Sequence, residues 1–185
     1  MEGIPEDSDI VTITAGGNDL GYSLHTVRNA FTGWLQALSP ITSPLGYILS
    51  SNIPAGSDQD VAQATEGLIK IVEAAKSRAP QARIILVDYL TIFGAETVMH
   101  PIRNPLSPEQ IEALRALAKK LDGAFSEAAR RTGADLVKAS TLSEIHGIGS
   151  AEPWVSDFDG YRAPYHPNAV GMQAIADELY RVITQ

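Results

Sequence analysis

Two spacings of apolar residues alternate along this chain. Asp9-Ile10-Val11-Thr12-Ile13-Thr14-Ala15 is rich in β-branched residues and is followed by Gly16-Gly17, which predicts a strand buried on both faces. From Ser23 to Leu38, apolar residues at 24, 27, 31, 34, 35 and 38 follow helical spacing, and Ser39-Pro40 ends the helix. Residues 41–56 contain two prolines and read as a loop, yet they hold Leu45, Tyr47, Ile48 and Leu49, enough to cover a core or line a cleft. Ser57 or Asp58 caps a second helix that runs to about Arg78. Arg83 to Tyr89 reads as a second buried strand. The run Ser107-Pro108-Glu109-Gln110 starts a third helix, with a cap, a proline at the first position and a capping-box Gln, and Gly133 stops it. Ala134 to Ala139 is a third strand, and Pro167 to Ile183 is a C-terminal helix.

This order, β-α-(α)-β-α-β-α, predicts one α/β domain over residues 1–185, a parallel sheet with helices on both faces. Three strands make a small sheet for that architecture. The first begins about nine residues in, as if elements that precede it elsewhere were missing.

Composition narrows the function. The 185 residues carry 14 Lys+Arg against 22 Asp+Glu, a net charge of −8 that disfavours nucleic acid and electrostatic docking to anionic lipid. The absence of cysteine excludes disulfides, thiolate metal sites and a cysteine nucleophile. No apolar run is long enough for a membrane span. The acidic N-terminus does not read as a signal peptide, and the compartment stays open.

Ligands of open parallel sheets collect at the carboxyl ends of the strands. Ala15-Gly16-Gly17-Asn18-Asp19 follows the first strand, and the loop after the third delivers Tyr165-His166-Pro167-Asn168 to the last helix. Two polar motifs from opposite ends of the chain thus converge on one sheet edge. Asn18 offers an uncharged NH₂ donor suited to a developing oxyanion, and His166 suits a general base. Each motif in isolation is equally a capped turn or a loop histidine bonded to the backbone. His25, His100 and His146 have no partners at metal-ligand spacing; no metal and no cofactor are expected.

Together the two motifs resemble those of the SGNH hydrolases, the GDSL lipases and esterases. Val11 to Asp19 is similar to the block whose Asn donates to the oxyanion, and Tyr165 to Gly171 to the block whose His is the base. The nearer likeness is to secreted actinobacterial lipases and esterases, where a variant of Ala151-Glu152-Pro153-Trp154-Val155 also precedes the His block. The resemblance implies a three-layer α/β/α fold of flavodoxin-like type, N-terminally truncated to the last three strands. It also implies carboxylic ester hydrolysis, with His166 and Asn18 in those roles. The family often places an Asp three residues before the His; here Ala163 stands there, and its carbonyl would serve as it does in members with a Ser–His dyad. Asp157 and Asp159 are alternatives. That branch usually carries disulfides, including a cysteine near the position of Gly147 to Ser150, and these are absent.

The Gly-Asp-Ser block that supplies the nucleophile, and the block with an oxyanion-hole Gly, are not found. Asp7-Ser8 is only an echo, placed before a strand rather than after one. The expected function is therefore a lipase or esterase acting on a lipid or small-molecule ester, with the nucleophile outside this chain and weak or no activity in isolation. The alternative is an inactive SGNH-like remnant that binds a ligand or assembles. A flavodoxin-like nucleotide binder ranks last, because no phosphate loop opens a helix. Without the family's first strand, the strand at 9–15 becomes an edge with no Lys or Pro to guard it, which predicts a homo-oligomer joined there.

Overall fold

A computed structural model describes residues 3–17, 21–50, 52–158 and 164–185, with Tyr47 described by its backbone alone. The elements are β1 (Ile10–Ile13), α1 (Tyr22–Leu38), α2 (Ser43–Leu49), α3 (Asp58–Arg78), β2 (Arg83–Val87), α4 (Pro108–Thr132), β3 (Asp135–Val137), α5 (Ala139–Leu142) and α6 (Ala169–Ile183). The three strands form a parallel sheet in the order β1-β2-β3, with Ile10 opposite Arg83 and Ile85 opposite Asp135. Both crossovers step in the same direction, and the right-handed rule puts α3 and α4 on one face, packed against each other. Helix α6 lies against β3, and its Ile175, Leu179 and Val182 pack on the core from the other layer.

The capping residues mark the long helices as the sequence predicts. Ser57 with Asp60 and Ser107 with Gln110 form reciprocal capping boxes at the starts of α3 and α4. Leu114, Leu117, Leu121 and Phe125 of α4, Leu68 and Val72 of α3, and Ile85 and Leu86 of β2 are all essentially inaccessible. This layer, with β2 at its centre, is the hydrophobic core.

Two expectations need correction. Strand β1 is not buried on both faces. It is the sheet's edge, and only Ile13 is buried, because no strand among the described residues pairs with its outer side. Part of the supposed loop 41–56 is helix α2. Pro44 sits in its first turn, and Gly46 lets it lie directly on α1, where a Cβ would come within 2.5 Å of the Thr32 carbonyl.

The orientation of α1 is one that its spacing alone does not decide. Its buried residues include Thr26, Asn29 and Thr32, while Leu24, Val27, Phe31 and Leu38 face outward. The buried polar groups are satisfied locally. Thr26 donates to the Tyr22 carbonyl (2.6 Å), Thr32 to that of Asn29 (3.0 Å), and Asn29 accepts from Gln110 of α4 (3.2 Å). The helix is amphipathic, but its polar stripe is the one packed inward.

Candidate active site

The turn after β1 is built on glycines. Gly16 has φ 92°, in the region that favours glycine, and Gly17 presses against the Tyr89 side chain, which would lie 2.8 Å from an added Cβ. The Gly17 N–H donates to the Tyr89 hydroxyl (3.0 Å), and Thr14 Oγ1 donates to the Val87 carbonyl (3.0 Å). Both bonds tie the end of β1 to the carboxyl end of β2.

The second motif reaches the same edge. The Tyr165 ring is buried and packs on Phe93, with centroids 5.6 Å apart, four residues beyond Tyr89 in the loop that follows β2. Tyr165 holds φ 62°, an uncommon conformation for a bulky side chain. Burial pushes its phenol pKa up, and the negative charge of Asp157 adds to this. Its hydroxyl is buried with no hydrogen-bond partner among the described residues.

Residues 153–156 hold the loop in place. Ser156 N–H donates to the His166 carbonyl (2.9 Å), and Tyr165 N–H donates to the Ser156 carbonyl (2.8 Å). Asn168 caps α6 by accepting from Gly171 N–H (3.0 Å) and donates to the Pro153 carbonyl (2.6 Å). His166 is thus an exposed side chain on a fixed backbone.

The ring of His166 has a defined tautomer. Its Nδ1 lies 2.8 Å from the Pro164 carbonyl oxygen. A carbonyl only accepts, so Nδ1 carries the proton and the neutral ring presents an acceptor lone pair at Nε2. Nε2 has no partner among the described residues. His146 has the same tautomer, with Nδ1 donating to the Glu152 carbonyl (2.8 Å), but its ring is stacked on Trp154 with centroids 4.0 Å apart. In His100, Nδ1 instead accepts from the N–H groups of Ile102 and Arg103 at 3.2 and 3.1 Å. Both are occupied in holding loops.

A cavity of about 480 Å³ opens beside this edge. Leu90 to Glu96 line one wall, residues 144–150 another, and Tyr22, Tyr89 and Asp122 are among the rest. Residues 41–49, which the sequence offers as a cleft lining, are not among the residues that line it. Asp88, buried at the end of β2, accepts from the Ser140 N–H (2.9 Å) and hydroxyl (2.7 Å), so it joins β2 to α5. Burial pushes its carboxyl pKa up despite those bonds. Burial, and then the charge of Asp88, raise half-buried Asp122 to about 6, while Lys138 pulls it down. Asp122 in turn adds to the upward shift that burial gives the Tyr22 phenol.

The sign of this coupling is testable. The folded protein keeps a proton on Asp122 that an unfolded chain releases near 3.8. This contribution is full below that value and is lost as pH rises through about 6. Asp122→Asn is expected to raise the melting temperature at neutral pH relative to wild type and to leave it nearly unchanged at about pH 4. Circular dichroism melts at the two pH values read the difference, and equal gains at both would refute the assignment.

Of the residues singled out in the sequence, Asn18, Ala163 and Asp159 lie outside the described residues. Asp157 makes no hydrogen bond to His166 among them; the group at Nδ1 is the Pro164 carbonyl, which no sequence signal marks because every residue has one. Ser8 lies at the other edge of the sheet. It donates to the Pro5 carbonyl (2.9 Å), and the neighbouring Asp9 carbonyl accepts from Arg83 N–H, at the amino end of β2.

Residues 2–174 match the model of the GDSL-like Lipase/Acylhydrolase family. Lipase 2 of Streptomyces coelicolor is 27% identical over 191 residues, covering 99% of this chain and 62% of that protein. A lipase of Streptomyces rimosus is 26% identical over 167 residues, covering 89% of this chain and 56% of that one. The chain therefore spans about three fifths of the length of these curated relatives. Among solved structures, a phospholipase A1 from Streptomyces albidoflavus NA297 superposes with a TM-score of 0.67 at 18% identity, over 94% of this chain and 68% of that one. An extracellular lipase from Streptomyces rimosus gives 0.57 at 19%, over 94% and 70%. At these identities the structural likeness speaks for the fold.

Proposed function

This chain belongs to the GDSL-like lipase/acylhydrolase family, and from that premise we propose that it carries the base and one oxyanion donor of a carboxylic ester hydrolase acting by a Ser–His mechanism. The observation that carries the reading is the tautomer of His166. With Nδ1–H held by the Pro164 carbonyl, Nε2 is the nitrogen available to take a proton. A serine Oγ would attack the acyl carbon and pass its proton to Nε2. The carbonyl electrons would move to oxygen, where the Asn18 amide stabilises them. Collapse would expel the alcohol, protonated from His166, and water would release the acyl group by the same steps. The Pro164 carbonyl, or that of Ala163, takes the orienting place an aspartate holds elsewhere. The cavity behind Leu90 and Phe93 is the proposed place for the acyl chain.

The nucleophile is assigned to a Gly-Asp-Ser segment joined upstream of these residues, because Ser8 sits at the amino edge of the sheet. The 185 residues alone are expected to hydrolyse a short-chain aryl ester very weakly or not at all, and a chain extended by such a segment to do so readily. Robust turnover by the chain alone that survives Ser8→Ala would refute this assignment. An extended chain that folds and stays inactive would favour the second reading, a remnant that binds but does not cleave. Self-association through the free edge of β1 is part of the same proposal, since alternate residues there, Ile10 and Thr12, point their backbone groups away from β2. Light scattering on a dilute sample reads it, and a monomer would discard it.

A further inference from the structure

Tyr165 and His166 together stand opposite a single residue. The Ser156 carbonyl accepts from Tyr165 N–H (2.8 Å), and Ser156 N–H donates to the His166 carbonyl (2.9 Å). Beyond them the pairing is one to one: Val155 faces Pro167, and Asn168 N–H donates to the Trp154 carbonyl (2.8 Å). Two residues against one make a β-bulge, and the φ of 62° at Tyr165 is the left-handed form that glycine ordinarily supplies at the first bulged position. A bulge re-aims the side chain beside it. Here that side chain is His166, whose Nδ1 reaches back across Tyr165 to the Pro164 carbonyl (2.8 Å). The bond spans the one residue in the left-handed form, so its geometry depends on that φ.

Local chemistry disfavours a tyrosine in this position, because in the left-handed region Cβ crowds the following carbonyl oxygen. Burial of the ring offsets the crowding. Tyr165 is 6% exposed and packs on Phe93 with the ring planes at 54°. The hydroxyl contributes no hydrogen bond among the described residues. The part of Tyr165 that holds the bulge is therefore the apolar ring.

We infer that Tyr165 is a positioning residue for His166: its buried ring keeps the bulge in a conformation normally reserved for glycine, and the bulge sets the Nδ1–H tautomer by bringing the Pro164 carbonyl to the imidazole. Neither ring nitrogen of His166 has another partner among the described residues, so without that carbonyl nothing among them selects one tautomer over the other. The use of a free Nε2 as a base rests on the ester hydrolase reading; the tautomer itself does not.

NMR of protein labelled with ¹⁵N at histidine reads the tautomer directly at about pH 8.5, where an ordinary imidazole is neutral. The signal missing from His166→Ala identifies His166. Wild type is expected to show mainly Nδ1–H. Tyr165→Phe is expected to keep that tautomer and the wild-type melting temperature, since it removes only an unpartnered hydroxyl. Tyr165→Ala keeps the crowding without the burial, and is expected to lower the ratio of Nδ1–H to Nε2–H by about five- to thirtyfold. Tyr165→Gly also lacks the ring but adopts positive φ freely, and is expected to restore most of the wild-type ratio. A tyrosine that only stabilised the loop would lower melting in both small variants and move the tautomer in neither. Circular dichroism establishes that each variant is folded. Phe93→Leu, which loosens the ring from its other side, is expected to shift the ratio in the same direction and keeps the test open if Tyr165→Ala does not fold. Wild type in the Nε2–H form, an unchanged ratio in Tyr165→Ala (or in Phe93→Leu where that variant is unfolded), or a Tyr165→Gly ratio no better than that of Tyr165→Ala would overturn the inference. No arm measures hydrolysis, so an inactive extended chain counts against the hydrolase reading alone.

Discussion

In any form of the protein that hydrolyses esters, His166→Ala is expected to lower kcat by at least about 10³-fold and to change KM little. His166 is exposed, its backbone is fixed by Ser156 on one side and by the cap of Asn168 on the other, and its ring bonds to Pro164 within the same turn. Removing the imidazole therefore takes away the proton acceptor and leaves the fold intact. Unchanged melting together with lost turnover is the expected pair of results. His146→Ala is the matched control, because His146 shares the tautomer but is stacked against Trp154 and bonded to the Glu152 carbonyl. It is expected to cost stability and to spare most of kcat. A His166→Ala protein that retains turnover would remove the histidine from the mechanism.

The two motifs could be located in the sequence because each sits at an element boundary that local chemistry fixes. Gly16-Gly17 ends a β-branched run, and Pro167-Asn168 opens a helix, so both had to emerge at strand ends. The long helices were equally legible, since Ser57 and Ser107 carry capping boxes whose partners lie three residues away. Features decided by distant contacts were not. The orientation of α1 depends on Gln110 of α4 meeting Asn29, and helix α2 depends on Gly46 reaching the backbone of α1. Periodicity finds an apolar stripe but does not say which stripe faces inward when the polar one can satisfy itself through helix carbonyls. The bond that orients His166 was hidden for a different reason: it is made by main chain, and its direction follows from the positive φ of Tyr165. The Asp88–Ser140 link spans 52 residues and has no local signature at all.

Phe125→Ala is expected to destabilise the fold by about 3–5 kcal/mol and also to impair the site. Phe125 is inaccessible at the centre of α4, among Leu117, Leu121 and the residues of β2. Truncation loses its transfer free energy and leaves a cavity that the surrounding helix and sheet cannot close. The effect on the site follows from one contact. The Tyr89 ring meets Phe125 edge-on, with centroids 6.0 Å apart and planes at 82°, and the Tyr89 hydroxyl accepts from Gly17 N–H. Without Phe125 the tyrosine loses a wall of its pocket, and the glycine turn that leads to Asn18 loses its fixed partner. Tyr89→Phe separates the two effects. It keeps the ring against Phe125 but leaves Gly17 N–H unpaired, at a cost of about 1–3 kcal/mol. Denaturant unfolding should therefore rank Phe125→Ala below Tyr89→Phe in stability, with turnover reduced in both. If Tyr89→Phe leaves turnover at the wild-type level, the hydroxyl does not position the turn, and the core reaches the site by some other route.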